Sequence, residues 1–169
     1  MPLTLAAQVR QDERVEEQRV RYILDTDGLT EAERWAVCRA ALNLVAEEAA
    51  TFEADIPWSR ASDWPADVQE AAEHLQRVSR TPRKEPDYGQ TGVLGTEDKV
   101  TWLAFVTFAP WAFDAAVWSA DHIDVASLAD ESESVVLRLT ESQRTALEDA
   151  TGKGRLAPES EWKVGRHRA

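Results

Sequence analysis

The richest run of apolar positions in the chain extends from Val100 to Ser119 and contains many aromatic residues. A strand over 100–108 would be apolar on both faces, as an interior strand requires. Pro110 then predicts a turn, because proline cannot continue a strand or a helix. A helix over 101–119 is the alternative, but the β-branched content and Pro110 favour a strand. We expect this run to form the centre of the core.

Two helices before this run are predicted from apolar positions spaced three and four residues apart. Thr30 and Glu33 form a capping box that starts the better of the two. Cys38 lies on its apolar seam, so we interpret it as an inert buried thiol. The seam runs from Trp35 to Phe52. The other helix begins near Asp63, carries Trp64 on its apolar seam and ends at Thr81-Pro82. The two helices can pack as an antiparallel pair.

An earlier helix is predicted over 4–25, with a polar middle that interrupts its apolar stripe. We interpret it as a charged surface helix that packs at its ends. An arm that extends to a partner is the alternative.

Three further strands are predicted after Pro110, over 112–119, 123–129 and 134–139. The connections between them are too short for crossover helices, so the strands should be antiparallel neighbours. Thr140 and Gln143 form a second capping box, which predicts a helix over 141–151.

These elements together predict an α+β fold. An N-terminal three-helix segment would pack on a small antiparallel sheet of about four strands, followed by a short C-terminal helix and a polar, basic tail. The prediction is a single domain over 1–152, with a helical half at 1–80, a loop at 81–98 and a β half at 99–152. Residues 153–169 would form the tail.

The chain carries a formal net charge of −12, which repels nucleic acid and anionic membranes from the body of the protein. No apolar run reaches the ~18 residues that a membrane span needs. The N-terminal segment becomes charged too early for a signal peptide, and the single cysteine fits a reducing compartment. We therefore expect a cytoplasmic location. The oligomeric state is left open.

Few residues indicate a specific chemistry. His74 follows Glu70 at a spacing that does not match carboxylate-bridged metal sites, and His122 follows Asp121 in a turn where the two side chains diverge. The glycines of the 81–98 loop lack the context of a phosphate-binding motif. We therefore predict no metal and no cofactor, and no catalytic residue is assigned.

Aromatic residues outside regular elements are the better candidates for binding. Trp111 follows Pro110 in a turn and Trp58 follows Pro57 in a connector, so both are expected to be less easily buried than the other tryptophans. Trp162 stands alone in the tail. An acidic hairpin follows the third strand, although such charges are usually only solvated. The complete candidate binding set is Trp58, Tyr88, Trp111, Asp130, Glu131, Glu133 and Trp162.

Three functions remain open. The first is a small acidic protein-binding module that regulates, inhibits or assists a partner protein. The second is a hydrolase or transferase with an Asp/Glu/His site near the 80–98 loop, which would require a pocket with perturbed carboxylates. The third is an inhibitor that mimics DNA, which would need carboxylates in two rows.

Overall fold

The computed structural model describes residues 18–165 of the 169-residue chain, with side chains through Trp162. Its α-helices are α1 (Glu31–Leu44), α2 (Ala66–Val78), α3 (Lys99–Phe108), α4 (Glu141–Thr151) and α5 (Glu159–Gly165). Two 3-10 helices span Trp58–Asp63 and Ala109–Trp111. The strands are β1 (Val20–Leu24), β2 (Thr51–Ile56), β3 (Gly89–Gln90), β4 (Leu94–Gly95), β5 (Asp114–Trp118), β6 (Asp124–Ala129), β7 (Ser134–Leu139) and β8 (Leu156–Pro158).

The strands form one eight-stranded antiparallel sheet in the order β3-β2-β5-β6-β7-β1-β8, with β4 pairing beside β3 on the same edge of β2. The strands β5, β6 and β7 form a meander of consecutive antiparallel neighbours. The first strand of the described chain, β1, lies between β7 and β8.

Alternate positions of the central strands form the core. Phe52 on β2, Val117 on β5 and Leu137 on β7 are all buried, and the ring of Phe52 lies 4.3 Å from that of Phe105 on α3. The helices α2 and α3 contact each other across this same core. The intervening strand positions, such as Ala116, are half-buried and form the opposite face of the sheet.

The predicted architecture of three helices on about four strands is wrong, although the α+β class and the antiparallel pairing are confirmed. The predicted helix over 4–25 fails at its end, where Val20–Leu24 is a strand; residues 1–17 lie outside the described part. Tyr22 and Leu24 are buried and alternate with the half-buried Arg21 and Ile23, so the segment satisfies a strand period when β7 and β8 pair with it.

The predicted strand over 100–108 is also wrong, because this segment forms α3. Asp98 caps the helix by accepting a hydrogen bond from the Val100 amide at 3.1 Å, and its other oxygen accepts one from the Thr101 hydroxyl. Thr101, Phe105 and Phe108 are buried along one helical face, at spacings of four and three. The apolar run is thus a helix that buries one face in the core, whereas Val100 and Leu103 on its other side are 64% and 63% exposed.

Two further boundaries differ from the prediction. The second predicted helix ends at Leu44. Phe52 belongs to β2 instead, where it and Ala54 are the buried residues of a strand alternation. The predicted tail contains β8 and α5, because Leu156 is buried where β8 pairs with β1. The start of α1, the helices α2 and α4 and the strands β5, β6 and β7 lie close to their predicted positions.

Candidate functional site

A depression of about 270 Å3 lies where α1, both 3-10 helices and the turn between β6 and β7 meet. We call it the tryptophan depression. Three indole rings form part of its wall, two arginines line it, and three acidic residues complete it. Its residues are Trp35, Trp64, Trp111, Arg34, Arg60, Glu31, Asp63 and Glu131.

Local structure fixes the α1 side of the depression. Thr30 caps the helix: its hydroxyl accepts the Glu33 amide hydrogen at 3.3 Å, and the Glu33 carboxylate accepts the Thr30 amide hydrogen at 2.8 Å. The Thr30 hydroxyl also donates to the Glu33 carboxylate at 2.8 Å, and the hydrogen bonds from the Thr30 amide and hydroxyl lower the pKa of Glu33. The cap sets the first turns of α1, which carry Arg34 and Trp35.

The aromatic wall is continuous with the core. The rings of Trp35 and Trp111 lie 3.7 Å apart between centroids, and Trp64 packs edge-on against Phe108 at 5.3 Å. Trp64 and Trp111 are buried while Trp35 is half-buried. Trp58 stands 5.7 Å behind Trp64. The wall therefore cannot rearrange without disturbing the packing behind it.

The turn between β6 and β7 is held in an uncommon backbone conformation. Asp130, Glu131 and Ser132 have φ values of 53°, 54° and 67°, the left-handed region that costs a non-glycine residue about 1–2 kcal/mol. The Ser132 hydroxyl donates to the Pro110 carbonyl at 3.0 Å, and the Glu131 amide donates to the Ala112 carbonyl at 3.0 Å. These bonds attach the turn to the segment that carries Trp111, and so place Glu131 in the depression.

The charges of the depression are paired only loosely. Arg60 lies 3.1 Å from Glu131 and 3.7 Å from Asp63, and Arg34 lies 3.7 Å from Glu133. All three pairs involve at least one well-exposed side chain, so each contributes about 1 kcal/mol or less. A ligand could replace any of them at little cost.

Two buried donors on residues that line the depression have no acceptor among the described residues. They are the indole Nε1 of Trp111 and the Nε of Arg34. Trp111 is only 8% exposed, so water does not replace the missing partner freely. Leaving a buried donor unpaired costs about 1–3 kcal/mol, and folded proteins pair most such groups.

A second concave region, the acidic cleft, has a volume of about 100 Å3 and lies where β2 and β5 meet the 88–92 segment. It holds Glu53, Asp55, Asp114 and Tyr88. One oxygen of Asp55 accepts hydrogen bonds from the amides of Phe113 and Asp114, at 2.9 and 3.0 Å. Burial raises the pKa of Asp55, and burial likewise raises the pKa of Tyr88.

The structure divides the predicted binding residues among several places. Trp111 and Glu131 meet in the tryptophan depression. Asp130, Glu133 and Trp162 line another depression of about 260 Å3 beside β1. The expectation that Trp111 is exposed is wrong, because the second 3-10 helix turns its ring against Trp35; its role in binding stays a prediction.

The two remaining candidates lie beside the 80–98 loop. Trp58 is half-buried: its indole donates to the Gln76 side chain at 3.3 Å, and the guanidinium of Arg83 lies 4.7 Å from its ring. Tyr88 is 38% exposed and contributes to the acidic cleft.

The cysteine and histidines considered for nucleophile or metal chemistry occupy positions in the core, in a hydrogen bond between two helices and in a turn. Cys38 is fully buried as predicted, and burial raises its pKa to about 11. His74 forms a 2.9 Å hydrogen bond with Thr101, and His122 occupies a left-handed turn position. Within residues 18–165, no group of three or more potential ligands is arranged to hold a metal ion.

Sequence reasoning missed Arg34, Trp35, Arg60 and Trp64. Both tryptophans were assigned to apolar helix seams, where a core role was the simpler interpretation. The arginines carry no motif. The available signal was the number of tryptophans around 58–64 and 111, but their meeting depends on tertiary structure.

Comparison with known proteins supplies no further identification. No protein-family profile, curated protein or solved structure matches this chain. Among the described helices, none is long and apolar enough to cross a lipid bilayer.

Proposed function

We propose that this chain is a protein-binding module whose contact surface is the tryptophan depression. The observation that carries the proposal is the meeting of the half-buried Trp35 ring with the side chains of Arg34 and Arg60 at one open depression. Tryptophan and arginine dominate the binding energy of protein interfaces.

The dimensions of the depression support a protein partner over a small molecule. Its volume of about 270 Å3 lies just below the range of ~300–1,000 Å3 that is typical of small-molecule pockets. The rigid aromatic wall within a charged rim has the arrangement of an interface anchor site.

The net charge of −12 supports a basic partner. A field of one sign speeds the encounter with a partner of opposite sign, and it suppresses the encounter with acidic proteins and nucleic acid.

The test compares two tryptophan variants. Trp35→Ala removes a half-buried ring from the depression, and Trp118→Ala removes a half-buried ring from β5 as the matched control. Proteins retained from native lysate by the wild type would be identified, purified and titrated by calorimetry. We expect the Kd to rise at least about tenfold, or 1.4 kcal/mol, for Trp35→Ala and to stay unchanged for Trp118→Ala.

Thermal melts would first establish that both variants are folded. Either of two results would contradict the proposal: no partner retained in a defined ratio, or a purified partner that binds Trp35→Ala as tightly as the wild type.

A hydrolase or transferase remains the second candidate function, supported by the raised pKa of Asp55 beside Tyr88 and the 80–98 loop. The test is a panel of chromogenic esters, phosphoesters and glycosides with wild type and Asp55→Asn. Turnover by the wild type that Asp55→Asn loses would support this candidate, and equal turnover by both would reject it.

We also propose a cytoplasmic location. The support is the single cysteine, which the fold leaves as a free, buried thiol. Fractionation of cells that express the tagged chain tests this, and recovery outside the cytoplasmic fraction would reject it.

A further inference from the structure

We propose that the basic segment 166–168, which follows α5, docks in the depression of about 260 Å3 beside β1 and competes there with basic ligands. We call this opening the β1 depression. The ring of Trp162 on α5 forms part of its wall, and four carboxylates line it, those of Asp25, Asp27, Asp130 and Glu133. The inference goes beyond the binding function above, because it concerns a different opening and does not depend on a partner of the tryptophan depression.

The chain that leads to the basic segment is attached to β1. The strand β8 pairs with β1, and the Asp25 amide donates to the Arg155 carbonyl at 2.7 Å. Glu159, the first residue of α5, lies 3.3 Å from the Nε of Arg21. Trp162 then lines the β1 depression. An interface between this part of the chain and β1 is therefore already formed a few residues before the basic segment, and the docked segment would continue it.

The sequence brings the basic residues within reach of this interface. Arg166 is four residues after Trp162, and α5 extends to Gly165. Residues four apart lie on one face of a helix and are separated by ~6 Å along its axis. The long side chain of an arginine spans such a distance. Arg166 can therefore reach the carboxylates beside Trp162, and Arg168 follows two residues later.

The charges of the β1 depression favour a cation. Among the described residues that line it, none is basic. Within the same described part, Glu133 pairs with Arg34 at 3.7 Å, and the other three carboxylates form no ion pair. Each new pair with an exposed carboxylate is weak, but a cation also relieves the repulsion among the four negative charges. The segment that follows Trp162 supplies this charge from the same chain.

Attachment to α5 favours this segment over a separate molecule. A segment held by a short flexible connection has an effective concentration in the millimolar range, so weak contacts are enough to keep it docked. A second copy of the chain or a free basic protein must lose translational and rotational freedom on binding. The segment therefore occupies the depression until a basic ligand of higher affinity displaces it.

The test places a nitroxide at position 169 of the full chain through Ala169→Cys. Cys38 is fully buried, so it does not take up the label. Amide signals of the 15N-labelled protein are compared with the nitroxide oxidised and reduced, because an oxidised nitroxide broadens the signals of nearby amides.

We expect the amides of Asp27, Asp130 and Glu133 to lose signal at least about twofold at low salt, and to recover near 1 M salt, where the Debye length is about 3 Å. The amide of Leu94 on β4, at the opposite edge of the sheet, is the reference and should keep its signal. Full signals at the three acidic residues would overturn the proposal.

Matched substitutions test the chemistry of docking. Arg166→Ser combined with Arg168→Ser should abolish the signal loss, and Asp130→Asn should reduce it. Asp121→Asn removes one negative charge from an exposed turn outside the β1 depression and should leave the loss unchanged. A signal loss that survives the two serines would refute docking by the arginines, and equal effects of the two Asp substitutions would refute docking in this depression.

A mixture of two chains tests the occupant. Unlabelled protein that carries the nitroxide is mixed with 15N-labelled protein that lacks it, and we expect no signal loss at Asp130. A loss as large as that within one chain would assign the segment of a second copy to the depression and overturn the proposal.

A peptide tests the competition. Capped Gly-Arg-His-Arg-Ala, which repeats residues 165–169, is titrated into the wild type and into the Arg166→Ser, Arg168→Ser protein. At equal peptide concentration, we expect the Asp130 amide to shift several-fold more in the substituted protein, because its own segment no longer competes. Equal shifts in both proteins, or no shift in either, would overturn the competition.

Discussion

The acidic cleft and the tryptophan depression are both concave and polar, and both form at the junction of several elements. They differ in whether their buried polar groups have hydrogen-bond partners. In the cleft, the Asp55 carboxylate is buried but accepts two backbone hydrogen bonds from the start of β5. In the depression, the Trp111 indole and the Arg34 guanidinium keep donors without acceptors. The cleft is complete by itself, whereas the depression lacks an acceptor. The number of buried polar groups that lack a partner within the protein therefore distinguishes two concave regions that otherwise look alike.

The largest expected effect tests the structural role of Asp55. Asp55→Ala leaves the amides of Phe113 and Asp114 without their acceptor, so we expect the free energy of unfolding to fall by about 2 kcal/mol. Asp55→Asn keeps an acceptor oxygen and should lose less. Urea denaturation measures both. If Asp55→Ala were as stable as the wild type, the Asp55 carboxylate would not stabilise the fold. That result would favour a catalytic role for the cleft.

The pH dependence of stability provides a second measurement on the same carboxyl group. Burial raises the pKa of Asp55 in the folded protein above its ordinary value of 3.8, so the folded state holds this proton more tightly than the unfolded chain. The stability due to Asp55 is then full below about pH 3.8 and is lost as the pH rises through the higher folded-state pKa. The free energy of unfolding of the wild type minus that of Asp55→Asn, measured by urea denaturation at several acidic pH values, should show that decline. A difference that rises with pH would reverse the sign and refute the burial argument.

The turn beside the depression allows a matched comparison of glycine with alanine. Glu131 has a φ of 54°, where alanine is strained and glycine is not. We expect Glu131→Gly to be more stable than Glu131→Ala by about 1 kcal/mol. At Glu133, which lacks a positive φ, the order should reverse, since glycine there only adds entropy to the unfolded chain. Thermal melts of the four variants decide it, and the same order at both positions would argue against a strained turn.

The smallest expected effect concerns the unpaired donor of Arg34. Arg34→Met keeps most of the side-chain length, removes the buried Nε and loses only a 3.7 Å pair with the exposed Glu133. We expect stability to stay equal or to rise by up to about 1 kcal/mol, because a buried unpaired group is removed. The contrast is Arg144→Met, which breaks hydrogen bonds to Glu141 and Glu148 and should lower stability. A clear loss for Arg34→Met would show that its donor is satisfied in solution.

The sequence predicted those elements whose signals are local. The capping boxes at Thr30 and Thr140 start α1 and α4 as expected, and the short connections of 112–139 give the antiparallel meander. Val20–Leu24 was wrong because its strand depends on distant partners, β7 and β8. The helix at 100–108 had a local signal, the cap at Asp98, but its β-branched residues favour a strand and were given more weight.

The candidate site could be predicted only in part for the same reason. Trp111 and Glu131 were singled out for separate reasons, and the structure places both in one depression. Trp35 and Trp64 fit apolar seams equally well as core residues. Whether a tryptophan on such a seam is fully covered or lines a depression depends on how the neighbouring elements pack around it. A periodic sequence pattern carries no information on that packing.

The position of β1 in the sheet has a consequence for how the chain reaches its folded state. Arg19, just before β1, hydrogen-bonds to Gln143, which lies 124 positions further along the chain. The meander of β5, β6 and β7 forms from neighbours, but β1 must wait unpaired until those later strands exist. Closing so long a loop costs entropy before any contact repays it. During synthesis on the ribosome, β1 would therefore remain without its sheet partners until residues 134–158 have emerged.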